Sequence, residues 1–318
     1  MSQGARKILL IDLVHPIIPE ELSRHGFSCD FFPDYGREDF LRVIDQYTGV
    51  IVRSKIRLDN EFLSRASKLK FIGRVGSGLE NIDVACAQKK GILCLNSPEG
   101  NRDAVAEHAV GMLLAMMNNI NRADKEVRSG RWIREGNRGN EIKGKTVGII
   151  GYGNTGSAFA RRLKGFEANV ISFDTYKTNY SDGNTRETTL QEICDTADIL
   201  SLHVPLTEET EFMVDATFIQ KFRKPFWLIN TSRGKVVRTA DLAEALKSGK
   251  VRGAALDVLE YEDSSFETLS RDLPRDFRYL MEAENVILTP HIAGWTHESN
   301  VRLAEVLVEK VLNSEIAK

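Results

Sequence analysis

Short apolar runs recur along the chain, separated by longer stretches in which apolar and polar positions follow a helical period. In the first third they fall at residues 7–11, 27–32, 49–52, 71–75 and 92–95. Strands alternating with amphipathic helices predict parallel α/β architecture. A second series at residues 147–150, 170–174, 199–204, 227–230, 252–256 and 286–288 repeats the pattern, so a second sheet is expected. The predicted fold class is therefore α/β, with two doubly wound parallel-sheet domains.

The run from Asn96 to Asn101 breaks the alternation with Pro98 and Gly100, and is read as a hinge. Asn101 is the expected cap of a long helix over residues 102–119. The last strand ends at Thr289-Pro290, and the amphipathic stretch 297–312 has no later strand to support in the second sheet. Its simplest place is against the first domain. That arrangement predicts a discontinuous substrate domain of residues 1–98 and 292–318, a cofactor domain of residues 99–291, and a cleft between them.

Composition narrows the class. With 318 residues, 42% of them hydrophobic and 28% charged, the chain is long enough for two cores, and its formal charge of −2 offers no footprint for nucleic acid or an anionic membrane. The longest apolar stretch, residues 109–117, is too short to span a bilayer, and the N-terminal residues carry no secretory pattern, so a cytoplasmic location is expected. Cys29, Cys86, Cys94 and Cys194 lack CxxC spacing and read as reduced thiols, with no metal expected.

The strongest motif is Gly151-Tyr-Gly153-Asn154-Thr155-Gly156, which directly follows the run 147–150. In such a motif the first glycine permits a tight turn, the second lets the backbone approach a diphosphate, and the third lets helix and strand pack closely. A helix over residues 157–163, starting at the last glycine, would aim its N-terminus at the anion. Twenty-three residues beyond Gly151, Asp174 ends the next strand. A carboxylate there accepts both ribose hydroxyls of NAD and repels the extra phosphate of NADP, so the expected cofactor is NAD. The competing reading is a plain glycine turn, with Asp174 as a helix cap.

Two further strand ends carry candidate chemistry. Arg233, in Asn230-Thr231-Ser232-Arg233-Gly234, follows a strand of the second series, where ligands of open α/β sheets collect. Its guanidinium is either a bidentate carboxylate anchor or a surface turn residue. His291, in Thr289-Pro-His-Ile-Ala-Gly294, is either a general acid–base group or a loop histidine. In the first domain, Arg53 (followed by Ser54) and Arg74 end strands beside the turn Gly76-Ser77-Gly78, whose amides are placed to form an anion nest. Both arginines fit either an anion site or ordinary solvated positions.

Together these residues resemble the D-isomer-specific 2-hydroxyacid dehydrogenases over essentially the whole chain. The likeness rests on Val75-Gly-Ser-Gly-Leu-Glu-Asn-Ile-Asp83, Ala104-Val-Ala-Glu-His108, the glycine motif, His203-Val-Pro-Leu-Thr207, Asn230-Thr-Ser-Arg-Gly234, Gly253-Ala-Ala-Leu-Asp-Val258 and Thr289-Pro-His-Ile-Ala-Gly294. The resemblance implies a flavodoxin-like substrate domain, a Rossmann NAD domain and hydride transfer to or from a small 2-hydroxy or 2-keto acid. It makes Arg233, Glu262 and His291 the catalytic trio. It gives Asp257 to the nicotinamide carboxamide, Val204 and Thr231 to the nicotinamide side, and Asn154 and Thr155 to the diphosphate. Pro205, Ser232 and Gly294 complete the cofactor set. Within the family the arginines are most similar to those of phosphoglycerate dehydrogenases, which implies a phosphorylated substrate. There Arg53 and Arg74 hold the phosphate, and Arg134 reaches in from the partner of a homodimer built through the NAD domain. Hydroxypyruvate or glyoxylate reduction and NAD(H)-sensing corepressor binding are the alternatives.

Three departures stand out. Asp263 follows Glu262 where the family usually has proline, and the stretch 263–284 is longer and more charged than usual. Trp295 and His297 follow the histidine motif where small residues are common, so that the indole either walls the nicotinamide or substrate pocket or serves packing. The chain ends at Lys318, so serine feedback through a C-terminal regulatory domain is not expected.

Overall fold

The computed structural model describes residues 6–262 and 273–315. Asp263 and the stretch after it as far as residue 272, the first five residues and the last three therefore lie outside the described residues. The described chain divides into two compact units. One comprises residues 6–101 and 295–315, the other residues 102–262 and 273–294.

In the first unit β1 (Arg6–Leu10), β2 (Phe27–Phe31), β3 (Gly49–Val52), β4 (Phe71–Arg74) and β5 (Leu93–Asn96) form a parallel sheet in the order β2-β1-β3-β4-β5. Alternate residues of the apolar runs go to opposite faces. Ile8, Leu10, Ile51 and Phe71 pack with Ile18 and Leu22 of the helix Ile17–Arg24 and with Leu303, Leu307 and Val311 of the helix His297–Asn313. Leu9, Ile11, Val50, Val52 and Ile72 pack on the other side around Phe40 and Phe62. The His297–Asn313 helix starts at a capping box, in which Thr296 Oγ1 accepts from the Ser299 amide (3.0 Å) and Ser299 Oγ accepts from the Thr296 amide (2.9 Å).

In the second unit β6 (Thr146–Ile150), β7 (Asn169–Phe173), β8 (Arg186–Glu187), β9 (Ile199–Leu202), β10 (Phe226–Asn230), β11 (Val251–Leu256) and β12 (Val286–Leu288) form a parallel sheet in the order β12-β11-β10-β9-β6-β7-β8. Its two faces carry separate cores, with Ile150, Leu200, Leu228 and Leu256 on one side and Val147, Ile149, Trp227 and Ile229 on the other. Each sheet has one place where the strand order reverses, between β1 and β3 in the first and between β6 and β9 in the second. Ligands of open parallel sheets bind beyond the carboxyl ends of strands at such points. The turns after β1, β3, β6 and β9 are therefore where the chemistry is sought.

The expectation of two parallel α/β sheets holds, and the eleven expected strands lie within two residues of the observed ones at each end. The sequence reading missed β8, a two-residue charged edge strand without an apolar run to reveal it. It also misplaced two helix starts. The long helix spans Pro98–Met117, because proline is well tolerated at a first helical position, so Asn101 is inside it rather than its cap. Asn101 instead accepts a hydrogen bond from Ser77 Oγ (2.7 Å). The helix of the glycine motif spans Asn154–Leu163 and starts at Gly153, so Thr155 and Gly156 belong to its first turn.

Glycine serves helix packing in the first unit. A Cβ on Gly100 would lie 2.6 Å from backbone atoms of Leu303, whereas one on Gly111, further along the same helix, would meet nothing within 4 Å. Gly100→Ala is thus expected to destabilise by about 1–3 kcal/mol, and Gly111→Ala to stabilise by about 0.5–1 kcal/mol. Urea denaturation midpoints of the two variants check both signs.

Candidate active site

The glycine motif occupies the reversal point of the second sheet. Gly151 has φ +91°, and a Cβ on it would approach the His203 carbonyl oxygen to 2.4 Å, so the turn after β6 lies directly on the end of β9. A Cβ on Gly156 would lie 2.1 Å from the Gly151 carbonyl oxygen, which fixes the close fit of helix and strand. Gly153 differs: a Cβ there would meet nothing within 4 Å. The space above it lies at the N-terminus of the helix Asn154–Leu163, where backbone N–H groups attract an anion. A second mark of fit to a dinucleotide is Thr231, whose Oγ1 is buried and lacks a hydrogen-bond partner among the described residues.

Beneath the motif lies His203, the first residue of the His203-Val-Pro-Leu-Thr207 motif, for which the sequence suggested no role. Its Nδ1 is 3.3 Å from Thr155 Oγ1 and its Nε2 is 2.8 Å from Ser201 Oγ. Burial pushes its pKa down to about 3, so the imidazole is neutral at physiological pH. Val204 packs over Gly151, while exposed Pro205 accepts a hydrogen bond at its carbonyl from Thr210 Oγ1 (2.6 Å).

Asp174 follows β7 and accepts three backbone N–H groups, from Tyr152 at Oδ2 (2.8 Å) and from Tyr176 (3.0 Å) and Lys177 (3.1 Å) at Oδ1. A carboxylate has about four acceptor positions, so the count leaves room for one ribose hydroxyl rather than two.

The histidine loop is held from below by Asp257, at the end of β11 and 1% exposed. Its Oδ1 accepts from the Thr289 hydroxyl (2.6 Å) and the Ile292 amide (2.9 Å), and its Oδ2 from the Ala293 amide (2.9 Å). Its backbone carbonyl accepts from the His291 amide (2.8 Å). His108 Nε2 lies 3.5 Å from the same carboxylate and 3.1 Å from Thr289 Oγ1. Most of the acceptor capacity expected for a nicotinamide carboxamide thus goes to the loop itself. Held this way, His291 adopts φ +54°, a left-handed conformation that a non-glycine residue rarely takes.

From that backbone the His291 ring points Nδ1 at Glu262, with Nδ1 and Oε2 2.8 Å apart. The other carboxylate oxygen of Glu262 accepts from the Leu259 amide. Both side chains are largely shielded from solvent. Although the residue following Glu262 departs from the family pattern, Glu262 reaches the histidine.

Arg233 follows β10 in a turn closed by Asn230. The Asn230 side chain donates to the Arg233 carbonyl (2.9 Å) and accepts from the Ser232 amide (3.0 Å) and hydroxyl (2.8 Å). Arg233 Nη1 donates to the Ser232 carbonyl (2.6 Å). A Cβ on Gly234 would come within 2.0 Å of the Leu259 backbone, so this glycine lets the arginine turn lie against the segment that leads to Glu262.

In the first unit Arg53 follows β3, at that sheet's reversal point. Asp12, just beyond β1, accepts from the amides of Arg53 (2.6 Å), Ser54 (3.3 Å) and Lys55 (3.1 Å), and Asn81 Nδ2 donates to the Arg53 carbonyl (3.2 Å). Burial lowers the pKa of the Arg53 guanidinium, an effect that Asp12 partly opposes. Arg74 lies back over Gly76 and donates from Nη1 to the Val75 carbonyl (3.0 Å), and a Cβ on Gly76 would collide with it. The anion nest is smaller than expected, because the Gly76 amide donates to Ser97 Oγ (3.2 Å). The amides of Ser77 and Gly78 take no partner among the described residues. Arg134, in the second unit, is exposed in a segment whose Trp132 is 80% exposed.

The sequence reading missed His108, Asn230, Thr289 and Asp12 as parts of these sites. His108, Asn230 and Thr289 stand within the family-like motifs, and Asp12 follows a strand as Asp174 does. Strand-end polar residues were the available signal.

Residues 110–293 match the family model "D-isomer specific 2-hydroxyacid dehydrogenase, NAD binding domain". The chain is 33% identical over 309 residues to the D-3-phosphoglycerate dehydrogenase of Archaeoglobus fulgidus, covering 96% of this chain and 57% of that protein. The chain thus spans little more than half the length of that relative. It is 35% identical over 275 residues to the hydroxypyruvate reductase of Thermotoga maritima, covering 86% of this chain and 87% of that one. Among solved structures, the D-lactate dehydrogenase of Aquifex aeolicus, complexed with NAD and lactic acid, superposes with a TM-score of 0.82 at 29% identity, over 96% of this chain and 94% of the other.

The neutral His203 makes stability depend on pH. Below about 6.5 the unfolded chain binds a proton at this histidine, while the folded chain does not until about pH 3. The stabilisation is complete above 6.5 and falls as pH drops towards 3, by at most about 1.4 kcal/mol per unit. Urea denaturation at pH 7 and pH 5 should show a steeper loss in the native chain than in His203→Gln. Equal losses would refute the assignment.

Proposed function

We propose that this chain, which belongs to the D-isomer specific 2-hydroxyacid dehydrogenase family, interconverts a D-2-hydroxy acid and its 2-keto acid with NAD, and that its substrate pair is 3-phospho-D-glycerate and 3-phosphohydroxypyruvate, at the entry to serine synthesis. The observation that carries the chemistry is the 2.8 Å pairing of His291 Nδ1 with Glu262. A carboxylate at Nδ1 fixes the tautomer and favours the charged ring, so the proton is exchanged at Nε2. NAD, held by the glycine turn and Asp174, would supply the hydride acceptor for C2 of the hydroxy acid and, reduced, the hydride donor for the keto acid. His291 accepts the hydroxyl proton during oxidation and gives it to the forming alkoxide during reduction. Arg233 grips the substrate carboxylate bidentately and polarises the carbonyl. Thr231 and Val204 border the nicotinamide, and the first turn after Gly153 holds the diphosphate.

The phosphate assignment rests on Arg53 and Arg74, with Arg134 supplied by a second copy in a homodimer built through the NAD-binding unit. In Arg53 the guanidinium makes no hydrogen bond or ion pair with any described residue, which leaves its donors available to an oxyanion. A second reading, hydroxypyruvate or glyoxylate reduction, is favoured by the match to the Thermotoga maritima reductase, which spans most of both chains.

NADH absorbance with 3-phosphohydroxypyruvate, hydroxypyruvate and glyoxylate, compared as kcat/KM at one pH, separates the two readings. The phosphorylated acid should be preferred. Arg53→Ala should raise its KM about 10- to 100-fold, the loss of charge-assisted hydrogen bonds, and raise that for glyoxylate far less. His291→Ala should lower kcat by about 10²- to 10⁴-fold while NADH still binds in a fluorescence titration. Loss of both binding and fold would make His291 structural. Native turnover no better than that of His291→Ala on every keto acid would favour a binding protein.

A further inference from the structure

Trp295 lies four residues beyond His291 and is 68% exposed, so its indole adds little to any core. What it covers is Arg53: the guanidinium carbon sits 4.4 Å from the ring centroid, over the face of the indole. Both partners are anchored before any ligand arrives. The backbone of Arg53 is fixed by Asp12 and Asn81, and Trp295 immediately precedes the capping box of Thr296 and Ser299. A guanidinium stacked on an aromatic face keeps its in-plane fork of N–H donors open, which is the geometry for taking two oxygens of a phosphate or carboxylate at once. The ring also removes one hydrated face, so the charge meets an oxyanion with less water to displace. It narrows the conformations of a long side chain that would otherwise lose considerable rotamer freedom on binding.

We infer that Trp295 is a specificity-determining residue, a platform that presents the Arg53 fork to the phosphate of the substrate and so selects phosphorylated over unphosphorylated 2-keto acids. This inference rests on the reading of Arg53 as a phosphate ligand given above. It also resolves the choice left open by the sequence, in which the indole either walls a pocket or packs internally.

The test is the ratio of KM values for hydroxypyruvate and 3-phosphohydroxypyruvate in five proteins: native, Trp295→Leu, Trp295→Tyr, Arg53→Ala and the double variant Trp295→Leu/Arg53→Ala. Circular dichroism confirms that each is folded. Trp295→Leu keeps an apolar side chain but lacks a π face, and should lower the ratio about 3- to 30-fold, the range of a cation–π contact. Trp295→Tyr should restore most of it, and the double variant Trp295→Leu/Arg53→Ala should be no worse than Arg53→Ala. A native ratio in Trp295→Leu, with a low ratio in Arg53→Ala, overturns the platform and leaves the phosphate assignment intact. Equal losses in the Leu and Tyr variants would make the effect one of shape and also overturn it. A native ratio in Arg53→Ala sinks the phosphate assignment, and the platform with it.

Discussion

The candidate chemistry hangs on one buried carboxylate. Asp257 collects the hydroxyl of Thr289 and the amides of Ile292 and Ala293 on its side chain, and its own carbonyl takes the amide of His291. A left-handed backbone at a non-glycine residue costs on the order of 1–3 kcal/mol and persists only where its surroundings over-determine it. Here four hydrogen bonds to a single residue do so. That hold sets the backbone from which the His291 ring meets Glu262.

The same device appears at three strand ends. Asp12 after β1, Asp174 after β7 and Asp257 after β11 each accept two or three backbone N–H groups, from a neighbouring loop at Asp12 and Asp257, and from the glycine turn and its own loop at Asp174. An ionised carboxylate is an acceptor only, and several amides converging on it give charge-assisted bonds that are stronger than neutral ones. The parallel sheet supplies rigid ends and the aspartates tie irregular loops to them. Arg53 and His291, which stand in different units and were read as performing different tasks, are both positioned in this way.

Most strands were legible because they are short apolar-rich runs set between amphipathic stretches. β8 escaped because a two-residue charged edge has no such run. Helix starts were less legible, because a glycine or proline marks a boundary without saying on which side of it the helix begins. The pairing of Glu262 with His291 and the chemistry around Gly151 to Gly156 were readable from strand-end positions and family likeness. The roles of His108, Asn230 and Asp12 were not. Asp12 accepts from amides some forty residues away and His108 meets side chains more than a hundred residues away, pairings that strand-end position alone does not specify, while Asn230 closes a local turn whose partners are two and three residues on. Trp295 was legible as an oddity, but its partner Arg53, 242 residues away in sequence, was not.

The lone-pair count at Asp174 bears on how readily this scaffold exchanges its cofactor for the phosphorylated kind. The carboxylate read as turning away a 2′-phosphate also ties the amides of Tyr152, Tyr176 and Lys177 together. On that reading, replacing it by a small neutral residue removes the repulsion and at the same time one of the two ties between the glycine turn and the end of β7, leaving the Gly151 amide on the Phe173 carbonyl (2.8 Å). Selectivity and loop architecture are therefore entangled in one side chain. Any lineage or designer seeking the other cofactor must find a substitute that still accepts those amides, and an asparagine, with its single carbonyl oxygen, supplies half the acceptors.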